Sequence, residues 1–321
     1  MQEILITGGA GYIGSHTAFT LVKKGYKVIV IDDLSNSYLE TRLNNVKYYI
    51  GDIADINLLN KIFSDNEIQS VIHFAGSISV SESMDNPDKY FENNTHKTKI
   101  LTEVMKQKGV KNIIFSSTAA LYGNISSGEI LESAEIKPIN PYGESKMLSE
   151  KQIFNIGLNY VFLRYFNVAG SNTIANLGYN PKSKWSHLIP VISKAYIDSL
   201  EFSIFGTDYK TPDGSAIRDY VHVQDLADAH VLALEYLIET NQSNTFNLGN
   251  NKGISVKEIV STTEKITNSK LNVVNKPRRS GDPEILLASN RKAKEILGWE
   301  PKKSIEDMIE SNIQYLLKGI K

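Results

Sequence analysis

Tyr142 and Lys146 stand four residues apart in Pro141-Tyr142-Gly143-Glu144-Ser145-Lys146. On a helix they share one face. A phenol with its ordinary pKa of about 10 is a poor base at neutral pH. A cation at close range stabilises the phenolate and lowers that value by roughly 1–3 units. Such a pair suits removal of a hydroxyl proton while hydride leaves the same carbon. The same spacing also fits an ordinary exposed ion-paired helix face. Thr118 closes the run Ser116-Ser117-Thr118 at the end of an apolar segment. A hydroxyl there could orient a substrate oxygen, or only cap a turn.

Hydride needs an acceptor, and the N-terminal stretch offers a site for one. The apolar run Ile4-Leu5-Ile6-Thr7 leads into Gly8-Gly9-Ala10-Gly11-Tyr12-Ile13-Gly14. A helical pattern follows, ended by Lys23-Lys24-Gly25, and a second apolar run, Val28 to Ile31, stops at Asp32. Glycines 8, 11 and 14 allow a tight turn, close approach of backbone to a pyrophosphate, and close packing of helix on strand. The unpaired N–H groups of the helix start face the phosphates. An acid about twenty residues further on accepts bonds from ribose hydroxyls. It also repels a 2′-phosphate, which favours NAD over NADP.

Strands and helices alternate from there to about residue 170. Strand patterns cover 46–50, 71–76, 112–117 and 160–166. Helical patterns cover 56–63, a long stretch from Pro87, and 141–157. This order implies an α/β fold, a Rossmann-type doubly wound parallel sheet covered on both faces. Residues 1–170 are the expected cofactor domain. After a polar crossing loop at 171–184, residues 171–321 read as a smaller α/β lobe. It has helices at 187–200 and 223–239, a capping box at Ser255-Val256-Lys257-Glu258, and two final helices. Segments around 218–250 are expected to cross back to the first domain. Ligands of such sheets bind beyond the strand C-termini.

Composition narrows the classes. With 321 residues and 41% hydrophobic content the chain can bury a large core. A net charge of −1 gives no global attraction to nucleic acid or an anionic membrane. With no cysteine there are no disulfides and no thiolate chemistry, which fits the cytoplasm. No apolar run approaches the ~20 residues of a membrane span. Six scattered histidines lack metal spacing, and neither a nucleophile elbow nor a phosphate-loop lysine motif is present.

The glycine spacing with Thr118, Tyr142 and Lys146 resembles the extended branch of the short-chain dehydrogenase/reductase superfamily. The UDP-glucose 4-epimerase family is the best likeness. It is carried by Thr7 to His16, Gly51-Asp52, Phe74-Ala75-Gly76, Asn93-Asn94, Phe115 to Gly123, Pro141 to Lys146 and Leu163 to Gly170. Ile204 to Tyr209, Asp213-Gly214, Ile217 to Val223 and Pro277 to Pro283 continue it through the second half.

That resemblance implies NAD-dependent 4-epimerisation of UDP-hexoses through a 4-keto sugar. Tyr142 would be the base, Thr118 would orient the 4-oxygen, and Lys146 would hold the tyrosine ionised. Gly8, Gly11, Tyr12, Ile13, Gly14, Asp32, Asn36, Ser37, Asp52, Ile53, Phe74, Ala75, Asn93, Ser116, Tyr142, Lys146 and Tyr165 would hold the dinucleotide. Thr118, Asn167, Leu188, Phe205, Arg218, Tyr220, Arg279, Asp282 and Leu286 would hold the UDP-sugar. Two guanidinium groups suit a diphosphate. Ile78 stands where some members carry a lysine, so that position is given no cofactor role. Leu286 borders the sugar's 2-substituent; it is intermediate in size, which leaves UDP-N-acetylglucosamine open. Family members are commonly homodimers joined by paired helices.

Three other readings stay open. A 4,6-dehydratase follows its strand-end hydroxyl with an acidic pair, whereas Ala119-Ala120 stand here. A UDP-uronate epimerase or decarboxylase would use the same scaffold. A non-catalytic cofactor-binding regulator would be expected to have lost part of the Thr118, Tyr142 and Lys146 set.

Overall fold

The computed structural model describes residues 2–38, 43–125, 128–279 and 283–319. Its first half builds the sheet that carries the glycine turn. In chain order come β1 (Glu3–Thr7), α1 (Tyr12–Lys23), β2 (Lys27–Asp32), β3 (Val46–Ile50), α2 (Ile56–Asp65) and β4 (Ile68–His73). Next are α3 (Val80–Asp85), α4 (Pro87–Tyr90), a π-helical segment Phe91–His96, α5 (Lys97–Gln107) and β5 (Asn112–Thr118). β6 (Glu129–Ile130), α6 (Pro141–Ile156), β7 (Asn159–Tyr165) and β8 (Asn167–Ala169) follow.

The second half holds α7 (Leu188–Ile197), β9 (Glu201–Phe205), β10 (Ile217–His222), α8 (Val223–Thr240), β11 (Asn244–Leu248) and β12 (Gly253–Ser255). It closes with α9 (Val256–Thr267), β13 (Asn272–Lys276), β14 (Ile285–Ala288), α10 (Arg291–Leu297) and α11 (Ile305–Leu317).

Seven parallel strands lie in the order β11-β7-β5-β4-β1-β2-β3. The order reverses between β1 and β4, the point where such sheets open a ligand crevice. Successive strand residues point to opposite faces. Ile4, Ile6, Val28 and Val30 therefore pack with α1 and α8. Leu5, Ile29 and Ile31 pack on the other side with α2, α5 and α6. Both faces are buried, so these strands read as continuous apolar runs. β11, late in the chain, pairs in register with β7.

A second sheet runs β12-β10-β14-β6, with β8 paired to β10, and β13 pairs with β9. α7, β9, α9 and α11 enclose a separate core around Ile189, Ile192, Phe202, Ile204, Ile259 and Met308. The expected capping box at Ser255 and Glu258 is formed at the start of α9. The strands β6, β8, β10, β12 and β14 were not expected from the sequence pattern. They are two to six residues long and exist through pairing.

His16, His73, His222 and His230 are buried. Burial pushes them down, to about 4, about 3, about 4 and about 4. Their folded values lie below the unfolded value, so their stabilisation is complete above about pH 6.5 and is lost as pH falls toward 4. Asp219, pushed up to about 6 by burial, and Asp225 and Asp228, raised by the same cause, act in the opposite direction and offset part of that loss. The melting temperature should change little from pH 8 to 7 and fall by several degrees by pH 5. A flat profile across that window would contradict the buried neutral histidines.

Candidate active site

The glycine turn is built by close backbone packing. Gly8 has φ +69°, and a Cβ there would lie 2.7 Å from the Ala75 nitrogen. A Cβ on Gly14 would lie 2.3 Å from the Gly8 carbonyl oxygen. Gly11 is the N-cap of α1 and supplies no side-chain cap, so the helix start is left for another acceptor. Ile13 packs against the core, and the Tyr12 hydroxyl donates to the Gly170 carbonyl at 2.6 Å. The Tyr12 ring meets Tyr179 and His187, which joins the start of α1 to the crossing segment.

Asp32 ends β2, next to this turn. Its carboxylate accepts from the Ala10 nitrogen at 3.0 Å, the Leu34 nitrogen at 2.9 Å and the Ser37 hydroxyl at 2.8 Å. A carboxylate has about four acceptor positions, so it can shape the turn and still accept a ribose hydroxyl. Asn36 accepts from the Ser183 nitrogen at 2.9 Å and so faces the crossing segment. Asp52 accepts from the Ala54 nitrogen at 2.8 Å and pairs with Lys97 at 2.5 Å. Ile53 is buried against the α2 side of the core.

Across the switch point, the Ala75 nitrogen donates to the Thr7 carbonyl, and the Phe74 ring lies 4.6 Å from His230. Asn93 donates to the Ser77 hydroxyl at 3.0 Å. Asn94, in the π-helical segment, accepts from the Ser77 nitrogen at 2.7 Å and donates to the Ser145 hydroxyl at 2.9 Å. π-bulges gather at functional sites, and this one ties the turn after β4 to α6.

α6 begins at Pro141, with Asn140 accepting from the Gly143 nitrogen at 2.8 Å, and ends at Gly157 in the left-handed region. It presents Tyr142 and Lys146 to the end of β5. The Tyr142 phenol faces the Thr118 hydroxyl, which favours its ionised form. Lys146 is buried and donates to the Ser116 carbonyl at 3.1 Å, with its ammonium 4.8 Å from the Phe115 ring centroid. Ser116 and Tyr165 hydroxyls are also hydrogen-bonded.

The electrostatics differ from the sequence expectation. Burial raises the Tyr142 phenol, and the nearby Thr118 hydroxyl only opposes that rise. Burial also pushes Lys146 down to about 8, against the pull of Glu150. Lys146 does not lower the phenol in this arrangement. Desolvation dominates, and the ammonium is turned to a backbone carbonyl.

On the other side, Tyr220 pairs in register with Asn167. Tyr220 is buried, which raises its phenol against the opposing charge of Arg218. Arg218 donates to the Ile217 carbonyl at 2.9 Å and is the register partner of Leu286. Leu286 packs with Ala119, Tyr122, Ile130, Phe166 and Ala288, beside Thr118. Phe205 ends β9, with the Arg279 guanidinium 3.8 Å from its ring centroid. Leu188 opens α7 and packs on the second core. Asp282 lies outside the described residues.

Sequence reasoning missed Glu150 and Arg164, a buried ion pair beneath this site, and Asp219. Asp219 accepts from the Asn250, Asn251 and Ala288 nitrogens and so joins β10 to its neighbours. Its place beside Arg218 in the quoted motif was the only signal.

The model of the NAD dependent epimerase/dehydratase family matches residues 4–249. The chain is 48% identical over 315 residues to the UDP-glucose 4-epimerase of Halalkalibacterium halodurans, covering 96% of this chain and 94% of that one. The structure of UDP-glucose 4-epimerase from Bifidobacterium longum in complex with NAD+ and UDP superposes with TM-score 0.94 at 37% identity, covering 99% of each chain. The UDP-Glc/GlcNAc 4-epimerase from Campylobacter jejuni gives TM-score 0.86 at 37% identity, covering 99% of this chain and 100% of that one. Similarity on this scale spans the glycine turn, α6 and the second core alike, and by it the chain belongs to the NAD dependent epimerase/dehydratase family, among its UDP-glucose 4-epimerases.

Proposed function

We propose that this protein is an NAD-dependent enzyme that inverts C4 of UDP-hexoses, interconverting UDP-glucose and UDP-galactose through a 4-keto sugar. One observation carries the reading: α6 brings the Tyr142 phenol to the Thr118 hydroxyl at the end of β5, close enough for that hydroxyl to act on its ionisation, two strands from the glycine turn.

The residues fit a dinucleotide. A side chain at Gly8 would collide with the Phe74-Ala75 backbone and one at Gly14 with the turn itself, and the start of α1 lacks a side-chain cap. Gly8, Gly11, Tyr12, Ile13 and Gly14 would take the pyrophosphate side, and Asp32, Asn36, Ser37, Asp52 and Ile53 the adenosine. Phe74, Ala75, Asn93, Ser116 and Tyr165 would take the rest. When bound, NAD supplies reversible two-electron oxidation of C4.

Tyr142 takes the 4-hydroxyl proton and later returns it. Thr118 holds the 4-oxygen within reach. Lys146, anchored on the Ser116 carbonyl, would hold the nicotinamide ribose one helical turn from Tyr142. Arg218 and Arg279 would grip the diphosphate, with Phe205, Tyr220, Leu188 and Asn167 around the nucleoside. Firm binding of UDP and loose binding of the hexose let the keto sugar turn its other face before reduction. Residues 1–170 would serve the cofactor and 171–321 the UDP-sugar, with α8 and β11 crossing back. Homodimers in the cytoplasm, with no nucleic-acid or membrane partner, complete the reading. Among the described residues no helix is long and apolar enough to cross a membrane.

Purified protein given UDP-galactose and no added NAD should produce UDP-glucose. A 4-keto-6-deoxy product, or none, would reject the proposal. Ala119, buried after Thr118, argues against the dehydratase chemistry. A second reading adds UDP-N-acetylglucosamine as substrate, favoured by Leu286 in its small apolar cluster. Turnover of both sugars within about tenfold would support it.

A further inference from the structure

Three successive turns of α6 engage three consecutive residues of β5. Tyr142 faces the Thr118 hydroxyl, Lys146 donates to the Ser116 carbonyl at 3.1 Å, and Glu150 accepts from the Ser117 hydroxyl at 2.6 Å. Glu150 and Arg164 are both 5% exposed. Arg164 binds Glu150 through two bonds, Nε to Oε1 at 2.9 Å and Nη2 to Oε2 at 2.6 Å. Its Nη1 donates to the Tyr122 hydroxyl at 3.0 Å, which donates to Asn247 at 2.7 Å. Asn247 in turn donates to the Ile130 carbonyl at 2.9 Å.

We propose that Glu150, clamped by Arg164, is a positioning residue for the reaction, setting the register of α6 on β5 and thereby the approach of Tyr142 to Thr118. This rests on the roles given to Tyr142 and Lys146 above. A buried ion pair is expensive to desolvate, and apolar residues often match or exceed it in stability. What it supplies is direction: a two-pronged clamp, every prong satisfied, admits one alignment of its elements. Arg164 precedes Tyr165, so the clamp also carries the end of β7 to Ser116.

The clamp acts through charge as well. Glu150 faces Lys146 from its own helix, His73 from β4, and the Ser116 carbonyl and Phe115 ring from β5. Tyr165 faces Tyr142 from β7. Burial keeps His73 neutral, so Glu150 is the group that holds Lys146 as the ammonium. Without that carboxylate Lys146 loses its proton at lower pH, and a slip of α6 that takes Tyr142 from Thr118 removes the one contact opposing the rise of its phenol, so Tyr142 ionises at higher pH.

Glu150→Gln tests this, but it leaves the Arg164 charge buried without a counterion and risks the fold. The double variant Glu150→Leu/Arg164→Met removes both charges. In the folded double variant kcat should fall about 10–100-fold while KM for UDP-galactose stays within about twofold. The pH profile of kcat should narrow from both sides, by about one unit on the alkaline limb. Phenolate absorbance, read against the same background carrying Tyr142→Phe, should titrate at higher pH and needs no turnover. A folded double variant with wild-type kcat and profile overturns the proposal, even if its melting temperature drops. If the unmodified protein turns over no UDP-hexose, the epimerase reading fails instead, and the phenolate titration still decides the clamp.

Discussion

Tyr142→Phe should abolish epimerisation while leaving the dinucleotide bound. The substitution removes one oxygen and keeps the ring. That ring packs edge-on against Tyr90 at 6.2 Å between centroids, a contact phenylalanine preserves. Thr118 is not orphaned, because its hydroxyl still accepts from the Ala120 nitrogen at 3.1 Å. The lost function is proton transfer, which contributes about 10²–10⁴-fold when the group is positioned at the reacting oxygen. No neighbouring base replaces it in the arrangement described. Lys146 is committed to the Ser116 carbonyl, and Tyr165 is a partly buried phenol raised by desolvation and hydrogen-bonded to Ser116. Turnover of UDP-galactose and the stoichiometry of bound NAD should be measured on the same sample. Activity near that of the unmodified protein would refute the base assignment, and an empty variant would point to a packing role.

Gly14→Ala should empty the protein of NAD. The new Cβ would stand 2.3 Å from the Gly8 carbonyl oxygen and 2.9 Å from the Gly9 Cα. Both are backbone atoms of a turn that is itself anchored. Gly8 donates to the Ile31 carbonyl at 2.9 Å, and Ala10 donates to Asp32 at 3.0 Å. No side chain can swing away, so α1 must lift from the turn, at about 1–3 kcal/mol. The N–H groups at its start then no longer converge on a phosphate. Bound NAD should fall more than about tenfold, the equivalent of 1.4 kcal/mol. Gly25→Ala is the control. It has φ +88° with nothing within 4 Å of its Cβ, so it strains the backbone far from the turn. Full NAD occupancy in Gly14→Ala, or equal loss in both variants, would show that close packing of the turn is not what holds the cofactor.

These expectations differ in how early they could be made. The π-helical segment has no signature in the pattern after Pro87, which reads as one continuous helix. It exists because Asn94 satisfies Ser77 and Ser145 from both sides. Glu150 and Arg164 are fourteen residues apart and carry charge, so each alone reads as an exposed group. Only the packing of α6 on β5 and β7 encloses them. The strands β10 and β14 likewise become strands by pairing with each other.

By itself the sequence determined what is local: the glycine turn between β1 and α1, the acid at the end of β2, and Tyr142 and Lys146 on one face of a capped helix. Backbone geometry and periodicity over a few residues dictate those. Tertiary structure decided the electrostatics. Spacing implied a phenol made more acidic by its lysine, yet burial raises Tyr142 and pushes Lys146 down to about 8. Desolvation depends on everything packed around a group, and no run of neighbouring residues specifies that.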